Sequence, residues 1–238
     1  MASGAIKRIV NRDLKEIHKM SLSELGIHVH FNEENMLNAK AIIIGPKDTP
    51  YENGVLLFSI EFPTNYPFSP PKVKYISSSK FRIHPNLYVG QPHNNFEGKV
   101  CLSIINTWSG PKWTTVMHIG SVLLSIQSLL DSNPLRNEPG FEKDDSIKNK
   151  LYNQIVEYNT YQHLIIKNCN MIPDDYKSFN DIIEGHIQEN KDKIRLNLQE
   201  LQMKCPSQTV SFDIYRIYMD MNYTYLLDKF DLLFKTKK

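Results

Sequence analysis

Apolar residues along this chain change their spacing several times, and each change marks an element. Between residues 5 and 20, Ile6, Ile9, Val10, Leu14 and Ile17 recur at helical intervals, with Lys7, Arg8, Arg12, Lys15 and Lys19 mostly on the other faces. This predicts a surface helix with a basic outer side. From residue 28 the pattern shortens to strand-like segments at 28–31, 37–44, 55–62 and 73–76. Gly45-Pro46 and the stretch Thr49-Pro50-Tyr51-Glu52-Asn53-Gly54 separate the second from the third, and Asn-Gly takes the positive φ that a tight reversal needs. Consecutive strands joined by turns predict a four-stranded antiparallel meander.

The stretch Phe62-Pro63-Thr64-Asn65-Tyr66-Pro67-Phe68-Ser69-Pro70-Pro71-Lys72 carries four prolines. Proline fixes φ and lacks a donor, so a stiff loop displaying Tyr66 and Phe68 is expected there. Helical period returns over residues 118–130, where Ile119, Val122, Leu123, Ile126, Leu129 and Leu130 form one stripe. Leu124 falls off that stripe, either as a scattered exposed leucine or as part of a docking surface. Asn133-Pro134 ends the helix. A second helical pattern covers 147–172, with Leu151, Ile155, Tyr158, Ile165 and Cys169 inward, Cys169 as a small buried hydrophobe. Pro173-Asp174-Asp175 breaks it, which divides the chain into a main domain, 1–172, and an extension, 173–238, packed on or beside it. In the extension Ile183, Ile187, Ile194, Leu198 and Leu201 form another stripe and residues 212–234 are rich in Tyr, Leu, Phe and Met, so two further helices are expected. The fold class is α+β.

Composition narrows the function. With 41% hydrophobic and 23% charged residues in 238, the chain belongs among soluble globular proteins. A net charge of +2 falls short of what a phosphate-tracking surface needs, so nucleic acid is not an expected partner. No run of eighteen apolar residues occurs, and the first ten residues lack a secretory core, so no membrane partner is expected. Cys101, Cys169 and Cys205 are too far apart for a zinc or redox motif, and neither metal nor cofactor is expected. A cytoplasmic or nuclear location, in a host cell if the chain is viral, would keep such thiols reduced.

Two short pieces carry the chemistry: His84-Pro85-Asn86-Leu87-Tyr88 and Gly98-Lys99-Val100-Cys101-Leu102-Ser103-Ile104. A cysteine inside an apolar heptapeptide is ordinarily a packed core residue. Together with the proline-rich loop upstream, and Trp113 and the leucine-rich helix downstream, these pieces resemble the ubiquitin-conjugating enzymes over roughly residues 5–172. The runs Asn106-Thr107-Trp108-Ser109-Gly110-Pro111-Lys112-Trp113, Ser125-Ile126-Gln127-Ser128-Leu129-Leu130 and Asn137-Glu138-Pro139-Gly140-Phe141-Glu142 are similar to the Z-type members, which also carry a helical extension.

The resemblance implies the ubiquitin-conjugating fold and a transferase that holds ubiquitin, or a ubiquitin-like protein, as a thioester on Cys101. Sulfur suits that task because a thiolate both attacks a thioester and leaves well. An activating enzyme loads it, and a substrate lysine, usually with a RING or HECT-type ligase, takes the acyl group. Asn86 stands where the family places an amide donor for the oxyanion, an interaction worth about 3 kcal/mol; holding its own loop is the other role open to it. His84 and Pro85 are assigned to loop support rather than proton transfer. Lys7 and Arg8 match the basic pair that meets the activating enzyme. Phe68 and Trp113 lie in loops that ligases grip, and Leu124 and Ser128 match positions that dock the donor ubiquitin. A catalytically weak or inactive member acting as a ubiquitin-binding cofactor is the alternative.

Three departures from the family pattern stand out. Residues 90–96 form an insertion between Asn86 and Cys101, which either projects harmlessly or shapes access to the thioester. Leu135 and Arg136 replace acids that orient the incoming lysine, with Glu138 or Asn137 as substitutes. Thr114-Thr115 replaces the common Ser-Pro of the ligase-facing loop.

Overall fold

The computed structural model describes residues 2–235; Met1 and residues 236–238, at the outer ends of the two expected domains, lie outside the described residues. The chain falls into two compact units, each assembled from separated stretches. One comprises the residues up to Gly45, Leu56–Ser77 and Pro85–Leu130, and the other Pro46–Val55, Ser78–His84 and the residues from Asp131 onward.

In the first unit the predicted N-terminal helix is α1 (Ala2–Arg8) and α2 (Leu14–Lys19), joined by a π-helical turn at Ile9–Asp13. A π turn carries an extra residue and shifts the helical phase. Val10, expected to face inward, is therefore 44% exposed, and Asp13 is buried completely.

The meander follows as β1 (Ile27–Phe31), β2 (Asn38–Ile44), β3 (Val55–Glu61) and β4 (Lys72–Ile76). A fifth strand of three residues, β5 (Glu97–Lys99), extends it, and the order in the sheet is β1-β2-β3-β4-β5. Ile27 pairs with Ile43, Ile60 with Val73, and Ile76 with Glu97.

The proline-rich loop displays one of the two aromatic residues expected to project from it. Phe68 is 79% exposed, but Tyr66 turns inward to 2%. Its hydroxyl donates to Asp13 Oδ1 at 2.5 Å, and the same oxygen accepts the Ile119 N–H at 2.8 Å. That N–H opens α3 (Ile119–Leu129), which buries Ile119, Val122, Leu123 and Ile126 of the predicted stripe and leaves Leu129 half-buried.

In the second unit α4 (Ile147–Asn159) starts at Ser146, whose hydroxyl accepts the Lys148 N–H, and continues into a π turn (Thr160–Lys167) and a short α5 (Asn168–Asn170). Ile155, Tyr158 and Ile165 face inward as expected; Leu151 and Cys169 are only half-buried. The helix α6 (Asn180–Lys204) buries Ile183, Ile187, Ile194 and Leu198.

The expectation of helix from residue 212 is corrected by a hairpin of β6 (Ser207–Phe212) and β7 (Ile217–Asn222), after which α7 (Tyr223–Lys235) begins. Along β7 buried Ile217, Met219 and Met221 alternate with exposed Tyr218, Asp220 and Asn222, a period of two inside a composition that suits either structure. Phe212 stacks on Tyr152 of α4 at 5.1 Å and Tyr223 meets Tyr158 edge-on at 5.4 Å, so the residues after Pro173 share a core with α4. Arg195 of α6 grips Asp231 of α7 with two nitrogens, at 2.8 and 3.0 Å.

Burial raises the Asp13 pKa above the ordinary carboxylate value, and the bonds from Tyr66 and Ile119 and the nearby Arg8 charge partly offset it. A folded-state pKa above the unfolded one means that ionising Asp13 costs stability as pH rises through the folded pKa, and that protonation removes this cost. Tyr66→Phe, which withdraws a donor from the buried charge, is expected to cost about 1.5–3 kcal/mol in denaturant titrations at neutral pH. The penalty should shrink as pH falls into the carboxylate range; a pH-independent penalty would contradict an ionised Asp13. For the hairpin, Phe212→Ala is expected to cost about 3–5 kcal/mol. Tyr218→Ala, at a residue 71% exposed, should stay within about 0.5 kcal/mol. Equal losses at the two positions would contradict the strand register.

Candidate active site

Cys101 sits just beyond β5, where the chain runs antiparallel to residues 86–88. The Tyr88 N–H donates to the Lys99 carbonyl at 3.0 Å, Leu87 bridges Val100, and the Cys101 N–H donates to the Asn86 carbonyl at 2.8 Å. The Asn86 side chain completes the ring, its Nδ2 donating to the Cys101 carbonyl at 2.8 Å. Asn86 and Cys101, fifteen residues apart, are thus joined through both backbone groups of the cysteine.

Residues 90–96, read from the sequence as an insertion, close on themselves. Gln91 and Asn94 cap a single 3-10 turn at Pro92–Asn94, and Asn95 and Phe96 turn the chain back with φ of 54° and 60°. Ser77 anchors both ends, its Oγ accepting the Gly90 N–H at 3.0 Å and its N–H donating to the Phe96 carbonyl at 3.1 Å. The two flanks approach so closely that a Cβ on Gly90 would lie 1.9 Å from the Phe96 carbonyl, and one on Gly98 1.7 Å from that of Tyr88. Only glycine fits at either position. His93 is exposed at the tip.

Cys101 is 1% exposed. Beyond it lie a 3-10 turn at Ser103–Ile105 and then Asn106 with φ of 62°. Asn106, Thr107, Trp108, Ser109 and Lys112 line a shallow cleft of about 460 Å³. Asn106 Oδ1 accepts the Trp113 N–H at 3.1 Å.

His84 and Pro85 are both buried. Within the second unit the chain entering this pair is held by two phenols, Tyr152 donating to the Arg82 carbonyl at 2.9 Å and Tyr51 to the Ile83 carbonyl at 2.6 Å. The His84 ring lies tilted against Tyr51 at 6.1 Å. The His84 side chain is thus buried against an aromatic ring rather than exposed to solvent.

The remaining site residues divide by exposure. Lys7 points to solvent, but the Arg8 side chain is 13% exposed and turned inward. It donates to the Met117 carbonyl at 2.8 Å and the Thr115 carbonyl at 3.3 Å, with its guanidinium 5.8 Å over the Tyr66 ring. Arg12 reaches the Val116 carbonyl at 3.3 Å. Helix α1 and the turn after it are therefore tied to the loop following Trp113. Trp113 is 9% exposed and donates its indole N–H to the Pro67 carbonyl at 2.7 Å, holding the loop from which Phe68 projects. Leu124 is half-buried and Ser128 exposed, four residues apart on one face of α3.

Glu138 and Asn137, expected to substitute for the missing acids, are hydrogen-bonded within the second unit. Glu138 accepts the Tyr215 hydroxyl at 2.5 Å, from the hairpin turn, and Asn137 donates to Asp131 at 3.2 Å. Among the described residues no group of three or more His, Cys, Asp or Glu side chains is placed to hold a metal ion.

Asp13, Thr107 and Tyr215 were not evident as important positions in the sequence. Asp13 was hidden by a π turn that no spacing announces, and Thr107 and Tyr215 by partners that are formed only on folding.

A family model described as "Ubiquitin-conjugating enzyme" matches residues 9–164. The chain is similar to "Ubiquitin-conjugating enzyme E2 Z" of Xenopus tropicalis, 36% identical over 81% of this chain and 62% of the relative. It is also similar to the Homo sapiens protein of that name, 35% identical over 88% of this chain and 60% of the relative. The chain thus spans less than two thirds of the length of these relatives. A solved Toxoplasma gondii ubiquitin conjugating enzyme E2 domain is 26% identical with a TM-score of 0.49, covering 66% of this chain and 99% of that one.

The inward placement of Arg8 separates it from Lys7 in a stability measurement. Lys7→Ala is expected to change stability by less than about 0.5 kcal/mol. Arg8→Ala, which removes a donor from two carbonyls and the nearby positive charge from Asp13, is expected to cost about 1–3 kcal/mol. Equal stability of the two variants in denaturant titrations would contradict this placement.

Proposed function

Because this chain belongs to the ubiquitin-conjugating enzyme family, we propose that Cys101 carries ubiquitin or a ubiquitin-like protein as a thioester and passes it to a lysine amine. The observation that carries the reading is the Asn86 amide bonded 2.8 Å from the Cys101 carbonyl, a donor held within one residue's reach of the sulfur. In loading, the Cys101 thiolate attacks the acyl carbon borne by the activating enzyme, a new C–S bond forms, and the old thiolate leaves. In transfer, the amine nitrogen attacks the same carbon and negative charge collects on the carbonyl oxygen. Swung from the backbone carbonyl to that oxygen, the Asn86 Nδ2 group becomes the oxyanion donor. In this reading Asn86 has both roles left open by its sequence: loop support when the enzyme is empty, which the 2.8 Å bond supports, and charge stabilisation during transfer.

The partners follow from the same reading. Lys7, exposed on the first helix, is free to meet the activating enzyme, and Phe68, projecting from the loop that Trp113 holds, offers an aromatic anchor to a RING or HECT-type ligase. Leu124 and Ser128 form the small face proposed for the donor ubiquitin. A reducing compartment, cytoplasm or nucleus, suits a nucleophile that must stay a free thiol.

One observation favours a second reading, a weakly charging member that serves as a ubiquitin-binding cofactor: the 1% exposure of Cys101. Incubation with activating enzyme, ubiquitin and ATP distinguishes the two. The first reading expects an adduct sensitive to reducing agent that is lost in Cys101→Ala and kept in Cys169→Ala and Cys205→Ala. In the loaded protein Asn86→Ala is expected to slow discharge to free lysine about 100-fold. A folded protein that no activating enzyme charges would favour the cofactor.

A further inference from the structure

A second side chain grips the peptide on both sides of Cys101. The Thr107 hydroxyl donates to the Val100 carbonyl at 2.7 Å and accepts the Leu102 N–H at 2.9 Å. The Thr107 backbone N–H donates to the Leu102 carbonyl at 3.2 Å. Asn86 takes the two groups between, the Cys101 N–H and the Cys101 carbonyl. Every polar backbone group from the Val100 carbonyl to the Leu102 carbonyl is therefore matched by Asn86 or Thr107.

We propose that Thr107 is a positioning residue for the transfer step, its hydroxyl fixing the backbone that carries the thioester. This deepens, and rests on, the reading of Cys101 as the acyl carrier. During transfer the nitrogen lone pair of the amine attacks the thioester carbon and the C–N bond forms. The C–S bond breaks with its electron pair on the Cys101 sulfur, and the ammonium proton goes to solvent. The acyl carbon hangs from Cα of Cys101 through only Cβ and sulfur, so its distance from the Asn86 donor is set by where that Cα is held. A displacement on the order of 1 Å in such a geometry is enough to change rates by about 100-fold.

Thr107 suits this role in two ways. Its hydroxyl donates and accepts at once, which allows it to bridge the two sides of one residue. Its branched Cβ restricts χ1, so the bridge loses less rotamer freedom than a serine would. The residue before it, Asn106, holds the Trp113 N–H, which places the grip on Cys101 next to the segment whose indole holds the loop of Phe68.

The test compares wild type, Thr107→Val and Thr107→Ser, each charged with ubiquitin by activating enzyme and ATP, then chased with free lysine in a single turnover after activation is stopped. Thr107→Val keeps the shape without the hydroxyl; its discharge is expected to slow about tenfold while charging stays within about twofold of wild type. Thr107→Ser, with the hydroxyl restored, should discharge within about threefold of wild type. Equal discharge by Thr107→Val and wild type overturns the proposal, and so does a Thr107→Ser variant as slow as Thr107→Val. Should Thr107→Val melt before it is assayed, amide hydrogen exchange at Leu102 in the wild-type thioester decides. Strong protection supports the grip, and exchange at the rate of a free amide overturns it. A wild-type chain that never charges defeats the Cys101 reading and this proposal together, whereas a charging wild type beside an unimpaired Thr107→Val defeats this proposal alone.

Discussion

A carboxylate with no access to water ties together three separated parts of the first unit. Asp13 is fully buried, and a charge in that position is tolerated only where donors are brought to it. Its Oδ1 takes the Tyr66 hydroxyl and the Ile119 N–H, 53 and 106 residues away in sequence. The Arg8 guanidinium stands 4.0 Å from its Oδ2. The first helix, the proline-rich loop and the start of α3 are thereby fixed to one another. Arg8 also reaches the Met117 carbonyl and Trp113 the Pro67 carbonyl, so the loop that projects Phe68 is held from the same cluster. Burial of an ion pair adds little stability in itself, but removing one partner leaves a charge uncompensated. The cluster therefore specifies an arrangement more than it strengthens one.

The segment around Cys101 obeys a different rule. No charge is involved; backbone groups are matched one by one, by Asn86 on the cysteine and by Thr107 on its neighbours. The same matching holds residues 90–96 on Ser77. Antiparallel bridging at Leu87 and Val100 sets the register on the near side, and Ser77 closes the insertion at its base. Gly90 and Gly98 permit backbone contact that any side chain would block. An insertion that begins and ends on the same serine adds surface without adding slack.

The second unit is organised by tyrosines. Tyr51 and Tyr152 hold consecutive carbonyls at Ile83 and Arg82, Tyr152 stacks on Phe212, and Tyr215 bonds Glu138 while the Arg82 guanidinium lies 4.9 Å over its ring. Phenols serve this purpose because the ring buries apolar area while the hydroxyl satisfies a carbonyl or carboxylate that would otherwise be stranded. The residues after Pro173 are thus part of the packing around α4 and the chain entering His84, and they supply the aromatic residues that Tyr152 and Arg82 pack against.

Much of this was legible in the amino-acid sequence. The four strands, the stripe of α3, the stripe of α6 and the motif around Cys101 were each visible because burial on one face imposes a period of two or of 3.6, and because the family motif around that cysteine is contiguous in sequence. Other features depended on contacts. The π turn at Ile9–Asp13 shifts phase without a compositional mark, so the inward turn of Asp13 and the exposure of Val10 escaped the helical pattern. Residues 217–222 suited strand or helix until Phe212 found Tyr152. Trp113, Tyr66 and Arg8 were identified by type, but whether each faces solvent or holds a neighbour was decided by partners more than forty residues away. Local periodicity is a property of the chain alone, whereas the satisfaction of a buried charge or carbonyl depends on groups that only the folded molecule brings together.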